Sequence, residues 1–213
     1  MALLPAEQER LIQCARGQWF LPTLLETCSS LGARRGEVLA LRWSDIKGTD
    51  IFIDRTLCQT KAGVVFKGTK TDEARKVGMP PSLVPCLETH RRRQGEFRQQ
   101  FSPAYRSDLD LIFANPDGSP LMPNSVSSTV ARLCRKLGLP KGASFHVLRH
   151  SHASLLLANG VDLATVSARL GHSSVRTTAD IYSHAIRGED HAAALCWDNI
   201  MDEARNEKCA GVS

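Results

Sequence analysis

Apolar residues recur every three or four positions through the first part of the chain. This spacing is typical of amphipathic helices and predicts helices over residues 6–15 and 20–31. Gly32 interrupts the second pattern and is expected to end that helix. A short third helix is predicted from about Arg35 to Leu41.

The spacing changes from helical to alternating after the third helix. In the next segment two sets of side chains alternate, which predicts a strand; one set is Ile51, Ile53, Arg55 and Leu57, and the other is Phe52, Asp54 and Thr56. Gly63 supplies a turn before an apolar run at residues 64–66, and a further strand is predicted at about residues 75–79. These segments predict a small antiparallel sheet of three strands.

The rest of the chain returns to helical spacing, with glycines and prolines between the segments. The fold class predicted is therefore α+β, a mainly helical domain with a small three-stranded antiparallel sheet. In the tail, Trp197, Ile200, Met201 and Ala204 share one apolar face, which predicts an amphipathic helix. The other predicted helices cover residues 82–94, from Asn124 or Ser125 to Leu137, 146–158, 162–170 capped by Asp162, and 174–183.

Composition narrows the class of protein. The 213 residues are 42% apolar and 23% charged, which is typical of a globular domain with a full core. Neither a membrane-spanning run nor a signal peptide is expected. None of the seven cysteines is spaced as C-x-x-C, which argues against zinc fingers and disulfides and favours a reducing, cytoplasmic location. A net charge of +5 permits a polyanionic partner without requiring one.

Candidate chemistry begins in "GARRGEVLALRWSDI", where Arg34 and Glu37 stand three apart at a predicted helix start. An arginine beside the free N–H groups of a helix start can bind an anion. Taken alone, the pair is more often a surface ion pair. In "FKGTKTDEARK", Lys70 falls in the predicted turn between the second and third strands, with Lys67 nearby. A solvated basic turn is the simpler interpretation of these lysines.

A second group stands in "FHVLRHSHAS", where His146 and Arg149 share one face of a predicted helix. His146 and His150 also have the i, i+4 spacing of zinc ligands. A metal is not expected here, because Val147 stands where the zinc motif has glutamate and no third ligand is evident.

The third group is "GHSSVRTTADIYSHA", in which His172 follows a helix-ending glycine and Tyr182 lies ten residues later. A turn and a helix between them could fold back toward the face that carries His146. A half-buried packing role is the usual one for a single tyrosine.

Together these side chains suit reaction at a phosphodiester. Two guanidinium groups can hold the phosphate oxygens and stabilise the charge of the transition state. A histidine can accept a proton, a tyrosine can attack phosphorus, and a lysine can protonate the departing oxygen. This set needs neither a metal ion nor ATP, since fixed cations replace the metal and a phosphotyrosine link keeps the bond energy.

The ordered motifs quoted above, with "KTDEARKVGMP" and "ARLGHSSVRTTADIYSHA", resemble the catalytic domain of tyrosine recombinases, the phage integrase family, from about residue 6 to 187. The resemblance implies DNA cleavage and rejoining through a 3′-phosphotyrosine link, without a cofactor. It implies catalytic roles for Arg34, Lys70 (or Lys67), His146, Arg149, His172 and Tyr182, with Glu37 supporting them.

The resemblance also implies an organisation and partners. Residues 1–187 would form the catalytic domain and 188–213 a tail, and the N-terminal core-binding domain usual in the family is expected to be absent from this chain. The expected partner is double-stranded DNA, with a homotetramer on DNA, a monomer without it, and accessory DNA-bending factors possible. A type IB topoisomerase and an inactive DNA-binding module remain alternatives.

Overall fold

A computed structural model describes residues 2–68, 74–140, 142–186, 195, 197–199 and 201. Most of the described residues are helical, as the sequence predicts. The helices, in order, are α1 (Pro5–Cys14), α2 (Leu21–Leu31), α3 (Arg35–Leu39), α4 (Leu83–Phe101), α5 (Pro123–Lys136), α6 (Phe145–Ala158), α7 (Leu163–Leu170) and α8 (Val175–Ile186).

Five short strands lie between α3 and α4: β1 (Ile46–Lys47), β2 (Asp50–Ile53), β3 (Arg55–Thr60), β4 (Gly63–Gly68) and β5 (Arg75–Gly78). A three-stranded antiparallel sheet is present, in the order β1-β2-β5, and β3 pairs separately with β4. The fold class is therefore confirmed, but the strands of the sheet are not the three predicted. The single strand predicted over residues 51–57 divides at Asp54, so that β2 and β3 enter different sheets.

The core lies between the helices and the inner face of the sheet. Leu21, Leu24 and Leu25 on α2 are fully buried, as are Ile51 on β2 and Leu148 on α6. Burying one such side chain contributes about 1.5–3 kcal/mol. The core therefore joins the first helices, the sheet and α6 into one framework that carries the polar residues described below.

Most helix boundaries lie within three residues of prediction, and the end of α4 and the start of α5 differ for identifiable reasons. Helix α4 continues to Phe101 rather than residue 94, and its Phe97 ring packs edge-on against Trp19 with centroids 4.9 Å apart. Helix α5 begins at Pro123 instead of at a cap on Asn124 or Ser125. Proline suits the first turn because it lacks the N–H that a helix start leaves unpaired.

The described part of the chain contains no helix that is both long and apolar enough to cross a membrane. Residues 195, 197–199 and 201 are helical, and Trp197 is exposed. Ile200 and Ala204, which complete the predicted apolar face of the tail, lie outside the described residues.

Candidate functional site

Arg34 and Glu37 meet at the first turn of α3. One Glu37 carboxylate oxygen accepts a hydrogen bond from the Arg34 backbone N–H (2.8 Å), and the other pairs with Arg34 Nη1 at 2.9 Å. Arg34 Nη2 also donates to the Gly171 carbonyl (3.3 Å). The Arg34 side chain remains 45% exposed whereas that of Glu37 is 3% exposed, so the guanidinium borders solvent while the carboxylate is buried.

Arg75 on β5 is the second partner of Glu37. Its Nη1 and Nη2 donate to the two carboxylate oxygens at 3.1 and 2.6 Å, and its Nε donates to the Arg169 carbonyl (3.1 Å). Burial alone raises the pKa of Glu37, but the hydrogen bonds and charge of Arg75, with the hydrogen bonds from Arg34, hold that pKa below its ordinary value. Glu37 is therefore an ionised group shared by two arginines.

Sequence reasoning did not select Arg75. A signal was available, because Arg75 and Val77 share one face of a strand and Val77 is buried. A charged residue on the buried face of a strand needs a partner inside the protein.

Arg149 on α6 is nine-tenths buried, and only one of its two Nη atoms is hydrogen-bonded. Its Nη1 donates to the carbonyls of Gly32 and Leu170, both at 2.8 Å. Its Nη2 is buried and has no hydrogen-bond partner. Burial, with the like charge of Arg34, lowers the pKa of Arg149 to about 10, so this arginine stays charged at neutral pH. A buried charged donor without an acceptor is costly and suggests a site for an anion.

His152 and Arg169 fasten the end of α2 beside this site. His152 Nδ1 donates to the Ser29 carbonyl (2.8 Å), and its Nε2 accepts from Arg169 Nε (3.0 Å). Arg169 Nη2 donates to the Ser30 carbonyl (2.8 Å). These contacts satisfy carbonyls that a helix end leaves open. Gly32, at φ +62°, ends the helix so close to His152 that a Cβ would lie 2.5 Å from the ring.

His172 follows the left-handed Gly171 that ends α7. Its Nδ1 lies 2.8 Å from the hydroxyl of Thr178, which is fully buried on α8. Burial and the charges of Arg149, Arg34 and Arg75 lower the pKa of His172 to about 4. The ring is therefore neutral at physiological pH, and when the Thr178 hydroxyl donates to Nδ1, Nε2 carries the remaining proton.

Tyr182 is buried, with 3% of its surface exposed, in a small apolar cluster with Ala153, Val166 and Leu170. Its ring stacks on His150, with centroids 5.0 Å apart and planes 26° apart. The backbone at Tyr182 (φ −114°, ψ 16°) departs from helical geometry inside α8. Burial raises the pKa of Tyr182 more than the nearby charge of Arg149 lowers it, so the phenol is protonated in this state.

The remaining predicted residues lie differently. His146 is exposed on α6, one turn before Arg149. Lys70 lies outside the described residues, in the segment that joins β4 to β5. Lys67, the alternative, is exposed on β4.

The structure thus joins the side chains of Arg34, Glu37, Arg149 and His172, with Tyr182 close to Arg149. The participation of Thr178, Arg169 and His152 was not predicted, since each acts through contacts that sequence spacing does not reveal. Within the ranges that the structure describes, no group of three or more His, Cys, Asp or Glu side chains is arranged to hold a metal ion.

Comparison with known proteins places these features in a family. The model of the Phage integrase family matches residues 2–188. A tyrosine recombinase XerC-like protein of Caldanaerobacter subterraneus is 32% identical over 169 residues, covering 73% of this chain and 43% of the relative. The ICEBs1 integrase of Bacillus subtilis is 31% identical over 201 residues, covering 92% and 54%. The chain thus spans about half the length of these relatives.

Solved structures share the fold. The Tn1549 transposon integrase, in complex with transposon right end DNA, superposes with a TM-score of 0.77 at 18% identity, over 94% of this chain and 66% of that one. The XerA recombinase superposes with a TM-score of 0.67 at 24% identity, over 93% and 64%.

Proposed function

The chain belongs to the phage integrase family, and from this premise we propose that it is the catalytic part of a site-specific DNA recombinase. Its substrate is double-stranded DNA, which it cleaves and rejoins through a covalent 3′-phosphotyrosine link. The proposal draws on relatives named recombinases and integrases, and on the DNA bound to the Tn1549 integrase.

The observation that carries the proposal is the unpartnered Nη2 of Arg149. Arg34 presents a second guanidinium beside it. His172 adds a neutral ring whose Nε2–H is free to donate when the Thr178 hydroxyl donates to Nδ1. A phosphodiester supplies the acceptor oxygens that this group lacks, and bidentate arginines are suited to hold it. Fixed cations of this kind stabilise the added charge of a five-coordinate phosphorus.

In the proposed reaction the Tyr182 hydroxyl oxygen attacks the phosphorus. The O–P bond to tyrosine forms as the P–O5′ bond breaks, leaving a 3′-phosphotyrosine and a 5′-hydroxyl. His146, which is exposed, accepts the phenol proton, because His172 has a pKa near 4 and is a weak base. Lys70, or Lys67 in its place, protonates the departing O5′.

The reaction proposed requires no metal and no ATP. Arg34 and Arg149 supply the positive charge at the phosphate, and the reverse attack by a 5′-hydroxyl rejoins the strand by reusing the phosphotyrosine bond. In the structure without DNA, burial opposes ionisation of Tyr182 by raising its pKa. We propose that DNA binding moves α8, at the non-helical position of Tyr182, so that the phenol reaches the phosphate.

The assembly is also proposed. Residues 1–187 act as the catalytic domain and 188–213 as a tail that contacts a neighbouring protomer. The protein acts as a homotetramer on DNA and is a monomer without it. Accessory DNA-bending factors assist, and the reaction takes place in the cytoplasm.

The test uses a pool of labelled nicked duplexes with randomised sequence around the nick, in which the cleaved end diffuses away and traps the intermediate. Wild-type protein should give a covalent protein–DNA adduct whose protein part is digested by protease, and it should form with or without a chelator. Tyr182→Phe should give none, because the nucleophile is lost. Tyr105→Phe is the matched control, since Tyr105 is the other tyrosine of the chain and lies outside the site.

Three results would contradict the proposal: no adduct with wild-type protein, an adduct that persists in Tyr182→Phe, or loss of the adduct on chelation. Relaxation of supercoiled plasmids without sequence preference would instead favour the topoisomerase alternative.

A further inference from the structure

We propose that Arg75 is a positioning residue of the phosphate site: it holds the Glu37 carboxylate and, through it, fixes Arg34. This inference rests on the proposed function, because it assigns a task to a residue beside the proposed catalytic arginines.

The Glu37 carboxylate is held from two sides. Both oxygens of Glu37 accept a hydrogen bond from Arg75 and both accept one from Arg34, at 2.6–3.1 Å. The Glu37 side chain is 3% exposed and that of Arg75 12% exposed, so solvent can replace neither contact. If Arg75 were lost, a buried carboxylate would keep only Arg34 and would be free to rotate toward it.

Each of the three guanidinium nitrogens of Arg75 already makes one hydrogen bond within the protein. Nε donates to the Arg169 carbonyl, and Nη1 and Nη2 donate to Glu37. Arg149 differs, because its Nη2 has no partner. These contacts direct the Arg75 side chain at Glu37 and the end of α7, and they favour action through Glu37 over contact with the phosphate.

Arg75 also contacts the turn before His172. Gly171 packs against the guanidinium so closely that a Cβ there would lie 2.8 Å from Nη1 and 2.9 Å from Cζ. The Arg169 carbonyl, at the end of α7, accepts from the same side chain. One residue of β5 thus joins the strand that follows the Lys70 segment to the turns that carry Arg34 and His172.

The charged and titratable groups around Glu37 come from four segments. Arg34 stands at the start of α3, Arg75 on β5, Arg149 on α6, and His172 after α7. Burial apart, the charge of Arg75 lowers the pKa of both Glu37 and His172. A change of the cleavage rate at low pH can therefore be attributed to Glu37 only if it is compared with a variant in which Glu37 is also replaced.

The experiment compares Arg75→Gln and Arg75→Lys with Lys76→Gln as the matched control. Lys76 is the next residue of the same strand and its side chain is 61% exposed. Its Nζ lies 3.3 Å from a carboxylate oxygen of Asp50, and this ion pair does not involve Glu37. Three quantities are measured: the dissociation constant for the duplex, the single-turnover rate of adduct formation between pH 5 and 8 (roughly, the span in which histidines titrate), and the titration of the Glu37 carboxyl carbon by NMR.

We expect Arg75→Gln to lower the cleavage rate about 10- to 100-fold, as small misplacements of a catalytic group do. The dissociation constant should change much less. The acid limb of the rate profile should move to higher pH, and the Glu37 titration with it, because burial then outweighs the remaining stabilisation of the carboxylate. The cleavage rate of Arg75→Lys should lie between those of wild type and Arg75→Gln, and the rate of Lys76→Gln should match wild type.

A double variant makes the result specific. If Arg75 acts through Glu37, Glu37→Gln combined with Arg75→Gln should cleave no more slowly than the worse single variant.

The inference is overturned if Arg75→Gln cleaves like Lys76→Gln, if the two losses multiply, or if the Glu37 titration is the same in wild type and Arg75→Gln. Absence of any wild-type adduct would instead overturn the proposed function. The NMR titration would still decide the link between Arg75 and Glu37, since it needs no DNA.

Discussion

Arg149 has two tasks that belong to different halves of one side chain. Nη1 fixes the ends of α2 and α7 by bonding the Gly32 and Leu170 carbonyls, whereas Nη2 is left for a ligand. A planar guanidinium can do both at once, while an ammonium group on a flexible stem cannot. The residue type is therefore required for geometry as much as for charge.

This division predicts the effect of Arg149→Lys. The substitution keeps the charge but can serve only one of the two tasks, so the single-turnover cleavage rate should fall about 100- to 1000-fold. Chemical denaturation should show a smaller but measurable loss of stability, of about 1–3 kcal/mol for each of the two buried carbonyls that is left without its donor. A lysine variant that cleaves at the wild-type rate would contradict the account of Nη2.

Sequence reasoning found the residues that carry distinctive chemistry but not those that hold them. Arg34 and Glu37 could be paired from their spacing within one helical turn. Arg75 could not be joined to them, because its contact with Glu37 depends on how β5 pairs with β2. Thr178 is likewise an ordinary helix residue until the fold brings it beside His172.

At the scale of elements, the site depends on α3 lying unusually close to β3. Gly36 allows this approach: a Cβ there would lie 2.3 Å from the Thr56 hydroxyl and 2.8 Å from the Leu57 carbonyl. Since Arg34 and Glu37 are on the same turn, any shift of α3 displaces both.

Two glycine substitutions should therefore have opposite effects. Gly36→Ala forces α3 away from backbone atoms of β3 and should lower the free energy of unfolding by about 1–3 kcal/mol. Gly95→Ala, in α4, meets no atom within 4 Å and should raise it by about 0.5–1 kcal/mol through helix propensity. Urea denaturation of both variants measures the difference, and equal effects would contradict the packing described.

The elements were predicted better than their pairing. Helical spacing located every described α-helix to within a few residues, apart from the longer end of α4. The alternation of residues 51–57 indicated extended backbone but not its division at Asp54, because that division depends on which neighbour each half pairs with. Local pattern encodes the conformation, and long-range pairing decides the sheet.

At the scale of the whole molecule, three histidines fold in the neutral form. Burial is the main cause in each, and it lowers the pKa values of His90, His152 and His172 from 6.5 to about 4. The unfolded chain takes up protons at these residues near pH 6.5, whereas the folded chain does so only near pH 4.

Stability should therefore fall as the pH drops from about 6.5 to 4, before most carboxylates titrate. Each histidine contributes up to about 1.4 kcal/mol per pH unit in this range. His90→Gln should flatten the dependence of the unfolding free energy on pH, since His90 is 2% exposed and donates to the Ile112 carbonyl. An unchanged slope in this variant would contradict the neutral state assigned to His90.

The central claim is that Tyr182 becomes covalently linked to DNA, and one measurement tests it directly. The trapped adduct is digested with nuclease and trypsin, and the modified peptide is sequenced by mass spectrometry. The account predicts a nucleotide joined through its 3′-phosphate to Tyr182, within the tryptic peptide of residues 177–187. A nucleotide on any other residue, or a link through a 5′-phosphate, would contradict it.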